Sequence, residues 1–102
     1  MAKIQVTSGS YTADTATDLY TNSTGATLLI MSMSVYNPET TSKAVEIYTV
    51  NSSNVVQEWV LDTTLTSRAL IGNQQKIWLA DGHKIRFKSA HANVKISANL
   101  YG

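Results

Sequence analysis

The amino-acid sequence predicts an all-β fold, a single β-sandwich or jelly roll of about eight antiparallel strands. Its composition is dominated by Thr, Ser, Asn, Val, Ile and Ala and includes one proline, which favours strands and polar turns over helices. Apolar and polar residues alternate along short segments, and polar turns separate these segments. With 102 residues, the chain is long enough for one domain with its own core. We therefore expect no helix longer than a turn or two.

The N-terminal segment begins as a strand and continues into a polar stretch. Ile4 and Val6 alternate with polar residues, and a Ser-Gly-Ser turn ends this pattern. Residues 10–18 carry the weakest pattern of the chain. We therefore expect an N-terminal strand and flexible arm, residues 1–20, followed by the β-sandwich, residues 21–102.

A long strand is predicted from Ala26 to Tyr36, where an Asn-Pro-Glu turn ends it. Side chains of a strand alternate between its two faces. Strict alternation places one set of apolar residues on one face, namely Leu29, Met31, Met33 and Val35. The opposite face then carries Leu28, Ile30, Ser32, Ser34 and Tyr36.

The next two segments, Ala44–Val50 and Val55–Asp62, are predicted to form a hairpin around the polar loop Asn51–Asn54. If Val50 pairs with Val55, one face carries Val45, Ile47, Thr49, Val56, Glu58 and Val60. The other face is not cleanly polar, because it carries Tyr48, Trp59 and Leu61. Together with Tyr36 these residues would form one apolar patch if their strands are neighbours. The candidate interface residues are therefore Tyr36, Tyr48, Trp59 and Leu61, and the alternative is a set of scattered surface residues.

The segment Trp78–Phe87 places Asp81 one glycine away from His83, a spacing that would suit an acid and its base. The hydrophobic pattern favours a corner instead. A three-residue loop, Ala80-Asp81-Gly82, places the apolar residues of both flanking strands on one face, namely Ile77, Leu79, Ile85 and Phe87. Trp78 then lies on the opposite face beside Lys84 and Arg86, and it becomes a fifth candidate interface residue.

The last third of the chain supplies the remaining strands. Leu65–Ile71 reads as an irregular strand, and the cleanest alternation of the chain begins at Val94 and ends at Leu100.

Composition argues against most catalytic chemistry. The chain has no cysteine, which excludes disulfides and thiol nucleophiles, and it has two histidines, too few for a convincing metal site. No nucleophile elbow, phosphate-binding glycine loop or paired-carboxylate motif is present. We expect no enzyme and no cofactor. The glycosylation patterns at Asn22 and Asn51 are interpreted as polar turns.

The N-terminus lacks the apolar region of a signal peptide, and no apolar run reaches the ~18 residues that a membrane span requires. We expect no signal peptide and no membrane partner.

Charge is divided unevenly along the chain. Residues 1–62 hold two lysines and six acids, a net −4, whereas residues 63–102 hold six bases and one acid, a net +5. A candidate basic stripe comprises Lys84, Arg86, Lys88 and Lys95. It is either an ordinary solvated strand face, a nucleic-acid contact or a contact that orients copies in an assembly. A net charge of +1 and the lack of stacking aromatics between the bases argue against nucleic acid. We favour the assembly contact over the nucleic-acid contact.

Two segments, Thr17–Tyr48 and Ile77–Ala98, together resemble small β-sandwich virion proteins of tailed bacteriophages. The similarity lies in the Leu-Tyr-Thr start at Leu19, a glycine turn, a strand ending at Asn37 and the Asp-Gly corner before the closing strands. His83 stands where that group usually has aspartate, and Asn22 follows the start where alanine and proline are commoner.

This resemblance implies a non-enzymatic structural protein of the virion, assembled in the host cytoplasm. The expected role is a capsid decoration or cement protein that binds the major capsid lattice and stabilises the head. The alternative is a tail or head-knob component that acts as a host-surface or carbohydrate-binding module. The expected partners are the major capsid protein or another virion protein, and further copies of the chain in a dimer or trimer.

Overall fold

The structure, a computed structural model, describes residues 3–73 and 76–102, except for the side chain of Asn73. The described residues form nine strands and no helix. The strands are β1 Lys3–Thr7, β2 Thr17–Thr21, β3 Leu28–Tyr36, β4 Lys43–Val50, β5 Val56–Leu65, β6 Leu70–Asn73, β7 Ile77–Leu79, β8 Lys84–Ser89 and β9 Lys95–Tyr101. The all-β prediction is confirmed, and no helix among the described residues is long and apolar enough to cross a membrane.

Two antiparallel sheets pack face to face. In sheet I the strand order is β1-β9-β3-β6, and β7 pairs with the other half of the β3 edge that β6 occupies. In sheet II the order is β2-β8-β4-β5. The two sheets are therefore the layers of a sandwich, as the sequence predicts.

The inward faces of both sheets enclose one hydrophobic core. Its most completely buried large side chains include Phe87, Ile30, Ile47, Leu65, Leu79, Ile85, Ile96 and Leu100. Burying each side chain of this size contributes about 2–3 kcal/mol relative to leaving it in water. The core fixes which face of each strand points outward, and hence the two surfaces on which a site can be built.

Strict alternation along β3 is wrong, because a bulge interrupts it. Ile30 lies opposite Leu100 on β9 but Ser32 lies opposite Asn99, so Met31 is the extra residue. A bulge of this kind shifts the alternation by one residue. Residues from both predicted faces therefore reach the core. They are Leu28 and Ile30 from one face and Met33 and Val35 from the other.

The β4–β5 hairpin is confirmed, but its register is not. Val50 pairs with Val56 rather than Val55, and two register shifts follow along the hairpin. The second shift places Leu61 opposite Ile47, where it packs against the core. Leu61 therefore does not share the outward face of Trp59, as the sequence predicted. Val56 and Glu58 stand opposite the buried residues Val50 and Thr49 of β4 but are themselves exposed at the edge of the sheet.

The corner at residues 80–82 is confirmed, but the two flanking strands do not pair with each other. Gly82 has a φ of 81°, and the His83 amide donates to the Ala80 carbonyl at 3.0 Å. β7 belongs to sheet I and β8 to sheet II. The corner thus carries the chain across the sandwich, so that Ile77 and Phe87 enter the core from opposite layers. The predicted placement of Trp78 beside Lys84 and Arg86 is therefore wrong.

Two fully buried asparagines hold the loops at the two ends of the sandwich. The Asn22 amide nitrogen donates to the carbonyls of Ala26 and Leu79, at 2.7 and 2.8 Å. Asn37 donates in the same way to three carbonyls, those of Thr41, Leu65 and Thr66. Buried amides with satisfied hydrogen bonds fix loop geometry. Asn22 is 0% exposed, which confirms the turn interpretation of its glycosylation pattern.

The N-terminal segment contributes a strand to each layer. β1 pairs with β9, β2 pairs with β8, and the boundary proposed after residue 20 falls inside β2. Between these strands, the Tyr11 ring packs edge-on against Phe87 with centroids 4.8 Å apart. The predicted N-terminal strand is present. Flexibility of this segment before assembly stays a prediction.

Candidate interaction surface

The outer face of sheet I is almost free of charge. Its five strands contain no Asp or Glu, and their bases are Lys3 and Lys95. Apart from Lys95, the outward side chains of its β3 and β9 strands are uncharged and include Leu29, Ser32, Ser34, Tyr36, Ser97, Asn99 and Tyr101. Charge depletion together with exposed aromatics is characteristic of the core of protein interfaces.

An apolar groove lies at one end of this face. Trp78, Leu29 and Tyr101 stand in one row across β7, β3 and β9. The groove that they line has a volume of about 430 Å³ and is completed by Thr27, Met31, Lys76 and Gly102. Trp78 is 67% exposed, which leaves most of its indole ring available for contact.

Small polar side chains fill the centre of the face. The Ser34 and Ser97 hydroxyls form a hydrogen bond across β3 and β9, and the Asn99 amide nitrogen donates to the Ser32 hydroxyl at 3.0 Å. The Asn99 Oδ1 atom is buried and has no hydrogen-bond partner among the described residues. Because these side chains are short, the centre of the face is shallow. It also presents one hydrogen-bond acceptor, the Asn99 Oδ1 atom, for a partner.

The opposite end of the face is aromatic and polar. Leu70, Tyr36 and Lys95 form a row across β6, β3 and β9, and Leu70 is 69% exposed. A shallower depression of about 280 Å³ lies beside this row, between Thr7, Ser8, Gly9, Ser34, Tyr36, Lys95, Ile96 and Ser97. The face therefore has an apolar aromatic end, a shallow polar centre and a second end where apolar, aromatic and lysine side chains lie together.

The outer face of sheet II is a charge network. Arg86 donates from Nε to Asp18 at 2.8 Å and from its terminal nitrogen to Asn54 at 2.9 Å. The Lys84 ammonium lies 3.6 Å from the same aspartate. Lys88 stands opposite Glu46 on β4. The stripe formed by Lys84, Arg86 and Lys88 is thus matched by acids of its own sheet.

The predicted interface residues do not form one patch. Tyr48 and Trp59 are in contact on sheet II, with ring centroids 4.9 Å apart, whereas Tyr36 and Trp78 lie at opposite ends of the sheet I face. The cause is that β3 and β4 belong to different layers. Lys95 is likewise separated from the other members of the basic stripe, because β9 belongs to sheet I and β8 to sheet II.

Sequence reasoning missed Leu29, Met31 and Tyr101, which line the groove with Trp78. Strict alternation assigns the first two to the core-facing side of β3, and the bulge that turns them outward leaves no clear signal in the sequence. The alternation of the last strand does place Tyr101 outward, but its nearness to Trp78 depends on β3 pairing with both β7 and β9.

Asp81 and His91 take structural positions. The Asp81 carboxylate accepts from the Gly25 amide at 2.8 Å and so ties two loops together. The His91 Nε2 atom lies 3.2 Å from Glu39, again between two loops. Among the described residues, no group of three or more His, Asp or Glu side chains is placed to hold a metal ion.

Tyr11 is the one described group whose titration is clearly shifted. Burial raises its pKa above the ordinary tyrosine value, against smaller lowering effects from hydrogen bonds with the Ser89 side chain and the Val94 backbone. Its hydroxyl lies 2.9 Å from the His91 carbonyl, within hydrogen-bond distance. This places Tyr11 as a structural link between the β1–β2 segment and the loop before β9.

Comparison with known proteins gives a likeness of fold. No family model and no curated protein matches the sequence. A chain in the solved structure of infectious bursal disease virus, Gx strain, is similar with a TM-score of 0.54 and 11% identity. The match covers 97% of this chain and 32% of the viral chain. A structure of the Gt strain matches over 98% of this chain and 30% of its own at 10% identity, but its TM-score is 0.40 and we draw nothing from it. The chain is thus a β-sandwich that resembles about one third of a viral chain.

Proposed function

We propose that this protein is a non-enzymatic structural component of a virion, and specifically a capsid decoration or cement protein of a tailed bacteriophage. The observation that carries the proposal is the outer face of sheet I, which bears no acid, has an exposed aromatic groove at one end and is left uncovered by the single chain. The likeness of the fold to part of a chain in a virus structure supports the same assignment.

The chemistry of this face fits a protein partner. Trp78 and the neighbouring groove residues supply apolar area that a partner would remove from water, and aromatic anchors of this kind dominate binding energy at interfaces. Lys3 and Lys95 lie on the same face without carboxylates of its own strands. A complementary partner therefore presents an apolar side chain for the groove and acids for the lysines. In the proposed role this partner is the major capsid protein or another virion protein.

The outer face of sheet II fits the solvent side of such an attachment. Two of its bases, Lys84 and Arg86, pair with Asp18 of the neighbouring strand, and such ion pairs gain little from burial in an interface. The proposed arrangement therefore places sheet I on the particle and sheet II in water. Many equivalent copies would then stabilise the head from outside, after assembly in the host cytoplasm.

The test is a quantitative mass-spectrometric census of purified particles from the source phage, with heads and tails separated. A decoration protein is expected in the head fraction at a copy number comparable to that of the major capsid protein. Presence only in tails at low copy number would overturn the decoration role in favour of a tail role. Absence from both fractions would overturn the virion proposal altogether.

A tail or head-knob module that binds a host-surface carbohydrate is the second candidate. One observation favours it specifically: Trp78 and Tyr101 line an open groove in the isolated chain, and aromatic rings in open grooves are suited to stacking against sugars. Glycan-array binding by the wild type that is lost in Trp78→Ala would support this candidate. Binding of the purified chain to empty heads, with no glycan signal, would favour decoration.

A further inference from the structure

One lateral side of the sandwich is formed by edge strands of both sheets. β5 is the edge strand of sheet II, and β6 and β7 lie at an edge of sheet I. Residues 66–69 connect β5 directly to β6, so the two edges lie on the same side of the molecule. We name the outer residues of these edges the β5 rim, consisting of Val55, Val56, Glu58, Trp59 and Asp62, and the β6–β7 rim, consisting of Arg68, Leu70, Lys76 and Trp78.

These two rims hold most of the exposed apolar side chains. Among the described residues, six large hydrophobic side chains remain exposed, and all except Tyr36 belong to the rims. They are Val55, Val56, Trp59, Leu70 and Trp78. The opposite lateral side, formed by β1 and β2, exposes polar or charged residues such as Lys3, Gln5 and Asp18. An apolar edge on one side only indicates that something covers this side.

The rims carry opposite charges. Residues 55–65 contain the acids Glu58 and Asp62 and no base, whereas residues 66–79 contain the bases Arg68 and Lys76 and no acid. All four side chains are exposed. The ion pairs found among the described residues involve none of them. One edge of the molecule therefore carries two charged rims of opposite sign, each with apolar side chains beside the charges.

We propose that these rims are a self-association surface, through which a second copy docks by a two-fold axis roughly parallel to the strands. Rotation about this axis exchanges the two layers, so the β5 rim of each copy meets the β6–β7 rim of the other. Acids then face bases twice, and the surface is complementary to itself, as a two-fold contact requires. A two-fold axis perpendicular to the sheets would instead pair each rim with its own copy and bring like charges together.

The heights of the rim residues along the strand direction, here called their levels, agree with this axis. At one end of the sandwich, Asn37 donates from its side chain to the carbonyl of Leu65 at the end of β5 and from its backbone amide to the carbonyl of Ala69 just before β6. At the other end, Gly82 after β7 lies against Ser52 in the loop before β5. An axis parallel to the strands preserves these levels. Trp59 stands opposite Tyr48 and Asp62 opposite Glu46, so Asp62 lies farther from the Gly82 end than Trp59, just as Lys76 lies farther from it than Trp78. Asp62 therefore comes near the level of Lys76 of the second copy, and Trp59 near the level of Trp78 of the second copy.

The inference goes beyond the proposed function. It shares Lys76 and Trp78 with the groove, but its test concerns the purified chain alone and is independent of any particle. Its test is the mass of the wild-type protein by sedimentation equilibrium over a range of concentrations. A reversible dimer is expected. Asp62→Lys and Lys76→Glu should each weaken it about tenfold, and the double variant should restore most of the loss. Lys88→Glu, an exposed charge change away from the rims, is the matched control and should leave the dimer unchanged.

Cross-linking distinguishes the two possible axes. Because the chain has no cysteine, each variant with a single cysteine has one reactive thiol. When Asp62→Cys and Lys76→Cys are mixed and oxidised mildly, the two variants should cross-link to one another and neither should cross-link to itself. Self-linking of each variant would overturn the proposed axis. A wild-type chain that stays monomeric at millimolar concentration would overturn the proposed self-association surface. A dimer that is insensitive to both charge reversals would overturn it as well. Circular dichroism verifies that every variant is folded.

Discussion

The outer faces of the two sheets differ sharply, although both sheets enclose the same core. The five strands of sheet I contain two lysines and no acid, whereas the four strands of sheet II contain four acids and four bases. On sheet II, Arg86 and Lys84 converge on Asp18. On sheet I, Trp78 is two-thirds exposed beside an open groove. The difference teaches that the charges around Asp18 on one face are already paired within the single chain, whereas the other face leaves an apolar groove to be covered.

The largest effect is expected from removing one aromatic ring from each face in turn. Trp78→Ala should weaken attachment to particles by about thirtyfold or more, since truncation of an exposed aromatic anchor typically costs about 2 kcal/mol. Tyr48→Ala, the matched change on sheet II, should leave attachment within about twofold of the wild type. Co-sedimentation with particles lacking the protein measures both. Equal losses in the two variants would contradict the assignment of the binding face.

A Tyr11 variant tests how much the contact between the β1–β2 segment and the loop before β9 contributes to stability. Tyr11→Phe removes a hydroxyl beside the His91 and Val94 carbonyls, and it should lower the free energy of unfolding by about 1 kcal/mol at neutral pH. Burial raises the Tyr11 pKa, so the unfolded chain releases this proton first as pH rises. The stabilisation is therefore complete below the ordinary pKa of about 10 and is lost as pH rises through the folded-state pKa.

Urea unfolding at a series of pH values measures this effect. The stability advantage of the wild type over Tyr11→Phe should shrink above about pH 10. An advantage that stays constant across that range would show that Tyr11 does not contribute through its neutral hydroxyl.

Arg86 tests whether the sheet II network is structural. Arg86→Ala removes hydrogen bonds to Asp18 and Asn54 from a side chain that is 19% exposed, and it should lower the free energy of unfolding by about 1 kcal/mol. Attachment to particles should not change. Urea unfolding together with the co-sedimentation assay measures both quantities, and a loss of attachment at full stability would transfer the binding face to sheet II.

The smallest effect is expected from removing the Asp18 charge, and this effect should depend on salt concentration. Asp18→Asn should cost at most about 1 kcal/mol of unfolding free energy at low ionic strength, because Asp18 is 40% exposed and solvent screens its ion pairs. The difference from the wild type should fall further in about 1 M NaCl, where the screening length is about 3 Å. A difference that does not respond to salt would mean that Asp18 acts as a neutral hydrogen-bond acceptor.

The sequence by itself determined the fold class, most of the core and the corner at residues 80–82. These features are local: the period-two pattern assigns side chains to faces, and a glycine with a φ of 81° meets the demand of the turn. The lack of cysteine and the scarcity of histidine also limit the chemistry that the chain can carry, whatever its fold. Local patterns of this kind need no knowledge of which strands are neighbours.

Only the tertiary structure decided which residues share a surface. The bulge at Met31 and the shifts along β5 change the alternation within a strand, and pairing between distant strands separates Tyr36 from Tyr48 and Lys95 from Arg86. A bulge adds one residue without an obvious mark in the sequence. Layer assignment depends on contacts between residues far apart in the chain, and these are fixed by burial of the whole core at once. The groove beside Trp78 arises from that collective packing and not from any one segment.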